Sequence, residues 1–203
     1  VARAPRGHPR HVDGRARRRA PRGIRELRRV GRPARARRHP ITLVSAGVKS
    51  ILDIGATLER LETLNIPVVG YRTNRCPGFY VADSGFALDY RVDSAEEAAA
   101  LALARDELGQ RAAVLVANPI AAERQLDPAL HDRILAEALA AADAAGVTGH
   151  DSTPFLLDRV QRATGGRSLE VNLDVYAGNV ALGAEIASAV AAGGSGASAG
   201  AAG

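Results

Sequence analysis

The sequence predicts an α/β fold: an α/β/α sandwich around a largely parallel sheet, of which this chain holds only part. Three observations carry that prediction. From Ile41 onward, short β-branched runs alternate with amphipathic or Ala-rich stretches several turns long. Capping and stop residues punctuate those stretches at their ends. Only three or four strands can be counted, too few for a complete sheet of this kind.

The elements follow in order. "ITLVS" at 41–45 is the first strand, and the Gly-containing turn "AGVK" follows it. Ser50 then opens "SILDIGATLERLETLN", where Ser50 and Asp53 have the spacing of a capping box. Ile51, Ile54, Leu58 and Leu61 fall on one helical face. Asn65 and Pro67 end that helix, and "IPVVGY" is the next strand, which completes a β-α-β unit with Lys49 in its first turn. "RTNRCPGFYVADSGFALDYRVD" is a connection containing a short strand near Leu88 to Val92. Ser94 and Glu97 repeat the capping-box spacing before an Ala-rich helix that stops at Gly109. "AAVLVANP" is a buried strand ended by Pro119. Asp127 and Pro128 begin a helix that runs to about Ala145 and closes at Gly146. Thr153 and Pro154 start a shorter one ending at Gly165 and Gly166, and Ser168 caps a last helix through about Ala192. The domain is expected over 41–192, between an Arg-rich segment at 1–40 and a flexible Gly/Ala/Ser tail at 193–203.

Charge divides the chain in the same way. The first 40 residues contain 15 Arg against Asp13 and Glu26, whereas the remainder is acidic on balance. A segment so poor in apolar residues cannot offset its ordering entropy and is expected to be disordered. Three readings stay open for it: a solvated tail, a wrong-frame translation of GC-rich DNA, or a basic arm that binds nucleic acid through phosphates. Aromatic residues make up 3% of the chain, which argues against a stacking platform for bases. Cys76 is the only cysteine, so no intrachain disulfide can form, and a reducing cytoplasm is the expected compartment. No unbroken apolar run approaches the roughly 20 residues of a membrane span, and no signal-peptide pattern opens the chain.

Lys49 is the only lysine among 27 basic residues. A sequence that writes arginine wherever a positive charge suffices has kept one amine, at the carboxyl end of a strand, where open α/β sheets collect ligands. An amine can do what a guanidinium cannot: once burial lowers its pKa from about 10.4, its lone pair attacks carbonyl carbon. Imine formation with a sugar aldehyde is the reaction that suits it, and Gly47 would let the backbone approach a substrate. The competing reading is a surface charge near a helix start. Other sites are weaker. The histidines at 8, 11, 39, 131 and 150 have no zinc-like spacing with Cys76, and His131 and His150 are expected to be solvated. Neither a GxGxxG nor a GxxxxGK[ST] stretch is present. Glu59, Glu62, Glu96 and Glu97 read as a solvated face.

"SAGVKSILDIGATLERLETLNIPVVGYRTNRCPGFYVADSGF", "VLVANPI", "TPFLL" and "TGGRSLEVNLDVYAGN" together resemble the carboxyl-terminal half of the pseudouridine-5′-phosphate glycosidase family, also called indigoidine synthase A-like. The resemblance implies reversible cleavage of the C–C glycosidic bond of pseudouridine 5′-phosphate to uracil and ribose 5-phosphate. It assigns Lys49 as the catalytic residue that holds C1′ of the sugar as a Schiff base. It also implies that Asn172, in "LEVNLD", helps hold the substrate. Asn179 and Tyr176 lie near Asn172 on the helix, with the two asparagines on one face. The family further implies a divalent metal, manganese, and a homotrimer.

The sequence also departs from the family pattern. The general-acid glutamate, a second active-site lysine, a Gly-rich segment and the metal-binding aspartate all precede the lysine motif in the family, and none is recognisable before Lys49. No metal ligand is therefore expected in this chain. The alternative function is a non-catalytic nucleic-acid-binding protein that uses the basic arm on a decayed enzyme domain. A different lysine-imine enzyme, such as a sugar-phosphate aldolase, is a third possibility.

Overall fold

The computed structural model describes Ala36 and residues 38–199. Most of the Arg-rich segment, with the three readings offered for it, lies outside the described residues. Ala36 is tied to the domain: its carbonyl accepts from Ala113 N at 2.9 Å, and it packs beside Leu61, Leu64 and Ile66.

Four short parallel strands form one sheet: β1 (Thr42–Ser45), β2 (Val68–Tyr71), β3 (Tyr90–Val92) and β4 (Val114–Ala117), in the order β1-β4-β2-β3. Five helices accompany them: α1 (Ile54–Thr63), α2 (Ala95–Glu107), α3 (Pro128–Ala144), α4 (Ser152–Ala163) and α5 (Arg167–Ala199). The period-2 alternation of the strands sorts their side chains onto two faces. Val44, Val69, Val114 and Val116 meet Ala95 and Ala98 of α2 and Leu182 and Ile186 of α5. On the opposite face Val68, Leu115 and Ala117 meet Ile54 and Leu58 of α1, together with Cys76 and Leu88. The result is the expected α/β/α arrangement. One crossover is unusual: β2 reaches its parallel neighbour β3 through residues 72–89, a strap without a helix that covers the α1 face.

A further core lies beyond these layers. Ile134, Ala138 and Ala142 of α3 and Leu156 and Val160 of α4 pack with Val171 and Val175 at the start of α5, and with Ala46, Ile51, Tyr80, Ile120 and Leu126.

The helix caps follow the sequence closely in two cases. Ser94 Oγ accepts from Glu97 N at 3.2 Å, and Asp127 carboxylate accepts from Leu130 N at 2.7 Å with Pro128 in the first turn. At α1 the expectation fails by one turn. The helix begins at Ile54, not Ser50, because Asp53 is the N-cap, accepting from Ala56 N at 2.8 Å. Ser50 is engaged elsewhere, and Ile51 is buried outside the helix.

α5 also differs, running through Ala199 into the stretch expected to be a flexible tail. Adding a residue to an existing helix fixes one residue per bond gained, so a packed helix can extend into weak formers. Gly193 supports the extension sterically: a Cβ there would stand 2.8 Å from Leu103 of α2, so the absent side chain lets the two helices approach. By length and composition alone, Arg167–Gly193 is long and apolar enough to cross a membrane, which a search for unbroken apolar runs does not detect. Here it packs on α2 and β1.

Candidate functional site

The turn after β1 is built from both sides. Ser45 Oγ donates to Gly47 O at 3.2 Å, and Ser45 O accepts from Asn118 N at 2.8 Å at the carboxyl end of β4. The strap holds the turn from above, with Phe79 N donating to Ala46 O at 3.0 Å and Gly47 bridged to Gly78. Gly47 has φ +88°, and a Cβ on it would lie 1.9 Å from Pro77 O. The glycine therefore serves close contact with the strap rather than the approach of a substrate expected from the sequence.

Lys49 projects from this turn, half-buried. Its Nζ stands 4.7 Å from the centroid of the Phe79 ring. No carboxylate among the described residues pairs with it within 4.0 Å. Burial lowers its pKa from the ordinary lysine value, because desolvation penalises the ammonium and no fixed negative charge compensates. The ring face offers the cation a partial replacement for water. A half-desolvated amine without an ion-pair partner, at the carboxyl end of a strand, is suited to nucleophilic attack on a carbonyl.

Ser50, next in the chain, points to α3. Its Oγ lies 2.6 Å from Nε2 of His131, 81 residues further on. His131 is 5% exposed, which corrects the expectation that it is solvated: the first turn of α3 packs inward, and the ring lies against Tyr80. His150, by contrast, is exposed, as expected.

Asn172 is half-buried on α5, and no hydrogen bond joins it to Lys49 among the described residues. Residues flanking the two do share one core cluster: Ala46 and Ile51, on either side of Lys49, with Val171 and Val175, on either side of Asn172. Asn179 occupies the same helical face and accepts a hydrogen bond from Asn118 Nδ2 at 3.2 Å, while Tyr176 is exposed. Asn118 thus joins the ends of β1 and β4 to α5, a role the sequence hints at only through its place at the strand end before Pro119. Phe79 was equally hidden, since nothing in "PGFY" identifies the lysine beneath which the ring lies.

A cleft of about 520 Å³ opens beside this region at the carboxyl ends of β2 and β4, lined by Arg72, Asn118, Arg124, Asp174 and Glu185 among others. Neither Lys49 nor Asn172 lines it. Its Arg124 is paired with Asp174 at 2.7 Å, and Arg72 Nε donates to Asp93 O. Among the described residues no three His, Cys, Asp or Glu side chains come together in a way that could hold a metal ion. The described residues thus offer no ligand set that fits the metal implied by the resemblance.

Comparison with known proteins places this geometry. A relative from Saccharopolyspora erythraea named pseudouridine-5′-phosphate glycosidase is 70% identical over 152 residues, covering 75% of this chain and 50% of its own length. A relative of the same name from Frankia alni is 58% identical over 153 residues, covering 75% of this chain and 42% of its own. The chain thus spans about half the length of these curated relatives. The crystal structure of the prealnumycin C-glycosynthase AlnA in complex with ribulose 5-phosphate superposes with a TM-score of 0.74 at 32% identity, covering 80% of this chain and 54% of AlnA. An indigoidine synthase A (IdgA)-like protein from Thermotoga maritima gives 0.67 at 35% identity, with coverages of 79% and 52%. Residues 34–189 match the family model described as indigoidine synthase A like protein, and the chain belongs to that family.

Proposed function

We propose that this chain carries the imine-forming half of a pseudouridine-5′-phosphate glycosidase, with Lys49 as the nucleophile. The observation that carries the reading is the state of Lys49: the only amine-bearing side chain in the sequence, half-desolvated, without an ion-pair partner among the described residues, in a turn clamped from two sides. The relatives' names supply the substrate, pseudouridine 5′-phosphate, and AlnA's ribulose 5-phosphate complex supports a pentose phosphate as the class of ligand. In this reading Nζ displaces the ring oxygen from C1′ of the sugar, the oxygen leaving with a proton, and gives a C1′ amine that still carries uracil. The nitrogen lone pair then forms the C1′=N imine as the bond to uracil breaks and the uracil carbon takes a proton; water hydrolyses the imine to ribose 5-phosphate, and in the reverse direction the imine is the electrophile that uracil attacks. Asn172, whose neighbour Val171 belongs to a cluster with Ala46 and Ile51, is the residue proposed to hold the substrate.

General-acid catalysis and metal binding are assigned in this proposal to the portion of the relatives that the chain does not span. The manganese and the homotrimer belong to the same proposal and rest on the family resemblance alone, whereas the cytoplasmic location rests on the single cysteine. That other half has a place to dock. The outer edge of β1 is unpaired among the described residues, with Ile41 and Leu43 exposed. Beside it, α5 presents Leu169, Leu173, Tyr176 and Val180 in one stripe, each more than half exposed.

The test is to add ribose 5-phosphate and borohydride to the chain, alone and with the complementary half of the S. erythraea relative as a separate polypeptide. The expected result is a sugar adduct on Lys49 by mass spectrometry, absent in Lys49→Arg, and uracil release from pseudouridine 5′-phosphate only in the mixture. No adduct in either sample, with the intact relative labelling in parallel, would sink the proposal.

A further inference from the structure

The mechanism just proposed uses Lys49 but leaves unexplained a buried histidine bonded to the residue beside it. His131 belongs to the first turn of α3, its backbone N donating to Asp127 O at 2.8 Å. Its Nε2 meets Ser50 Oγ at 2.6 Å, and its Nδ1 lies 3.3 Å from the exposed carboxylate of Asp132. With Asp132 as acceptor the ring proton is assigned to Nδ1, which leaves Nε2 to accept from the Ser50 hydroxyl. The other groups around the ring are the Tyr80 phenol, tilted at 6.2 Å, and the apolar side chains of the α3–α4 core.

We propose that His131 is a positioning residue for Lys49, acting through Ser50. Three physical points converge. A half-buried polar contact as short as this one is costly to break, because a buried imidazole nitrogen would lose its partner. The bond connects the Lys49 turn to a capped helix in the second core, so it fixes the turn on the side that the strap does not reach. Lys49 also lies outside any regular element: α1 begins only at Ile54, and the local tie within the turn is Leu52 N to Lys49 O at 2.8 Å. With its backbone hydrogen-bonded to the strap at Ala46 and its neighbouring side chain to His131, the turn is held across the lysine from both ends.

This inference rests on the imine reading of Lys49, and the experiment separates the two. With the full chain, the rate of borohydride trapping of ribose 5-phosphate is measured against sugar concentration for wild type, Ser50→Ala, His131→Ala and His131→Gln. Positioning predicts that Ser50→Ala and His131→Ala each lower the saturated rate by roughly tenfold to a hundredfold, with the half-saturating concentration little changed. The double variant should be no worse than either single one, since both remove the same bond. His131→Gln, whose amide oxygen can accept from the Ser50 hydroxyl, should recover much of the loss. Reductive methylation of Lys49 by formaldehyde, a reagent too small to need an aimed amine, should proceed at the wild-type rate in all of them. Wild-type trapping in His131→Ala, or a His131→Gln as poor as His131→Ala, would overturn the proposal. If the wild type itself traps no sugar, the imine reading fails, and the positioning is decided by the ¹³C resonance of dimethylated Lys49. A shift or broadening in Ser50→Ala, a mild substitution that the fold should tolerate, supports it; an unchanged resonance refutes it.

Discussion

At Lys49, burial and the ring of Phe79 act in opposite directions on one proton. Desolvation favours the neutral amine and lowers its pKa, whereas the quadrupole of the ring favours the ammonium. The rate of imine formation should therefore rise with pH and level off below the roughly pH 10.4 midpoint of an ordinary lysine. Phe79→Leu keeps the apolar cover and removes the quadrupole, so its pH midpoint should fall further. A pH series of borohydride trapping on both proteins checks the sign, and an upward move in Phe79→Leu would show that the ring contributes mainly by burial. The lysine was legible because composition isolates it. His131 was not, since a histidine early in an amphipathic helix reads identically whether the helix turns that face to solvent or to a partner 81 residues away.

Among the elements, α1 illustrates how a local signal can be correct in kind and misplaced by a turn. Both Ser50 and Asp53 are good capping residues, and choice between them depends on which is free of other bonds. Ser50 is held by His131, so Asp53 caps. Asp53→Ala should then cost about 1 kcal/mol in urea unfolding, the signature of a lost cap, and should leave Lys49 trapping nearly intact. Ser94 and Asp127 were readable without such ambiguity because no distant residue competes for them. The strap at 72–89 was less legible, since a parallel crossover normally announces itself by a helical pattern and this one holds its place by single contacts such as Arg75 Nε to Asp83 at 2.9 Å and Ser84 Oγ to Cys76 O at 2.7 Å.

For the whole molecule, counting strands anticipated the four parallel strands found among the described residues, but their order β1-β4-β2-β3 was beyond a single sequence because it depends on which strand enters between two earlier ones. The same order puts β1, the strand that leads to Lys49, on an edge that is open among the described residues. Leu173→Asp changes a residue that is 62% exposed in the isolated chain. Its thermal midpoint should shift by no more than the ~0.5 kcal/mol typical of surface changes, while binding of the complementary half, followed by size-exclusion chromatography, should be lost. Retained binding would move the docking face elsewhere. One consequence follows from the Gly47–Gly78 bridge. The sequence's only lysine and only cysteine stand near opposite sides of that contact, Lys49 on the turn and Cys76 on the strap. Cys76 is sealed from solvent, and burial raises its thiol pKa, so disulfide reagents should react with it only when the strap lifts. Thiol exchange at Cys76 is therefore a built-in clock for lifting of the strap off the Lys49 turn, and the sugar proposed to bind at Lys49 should slow it.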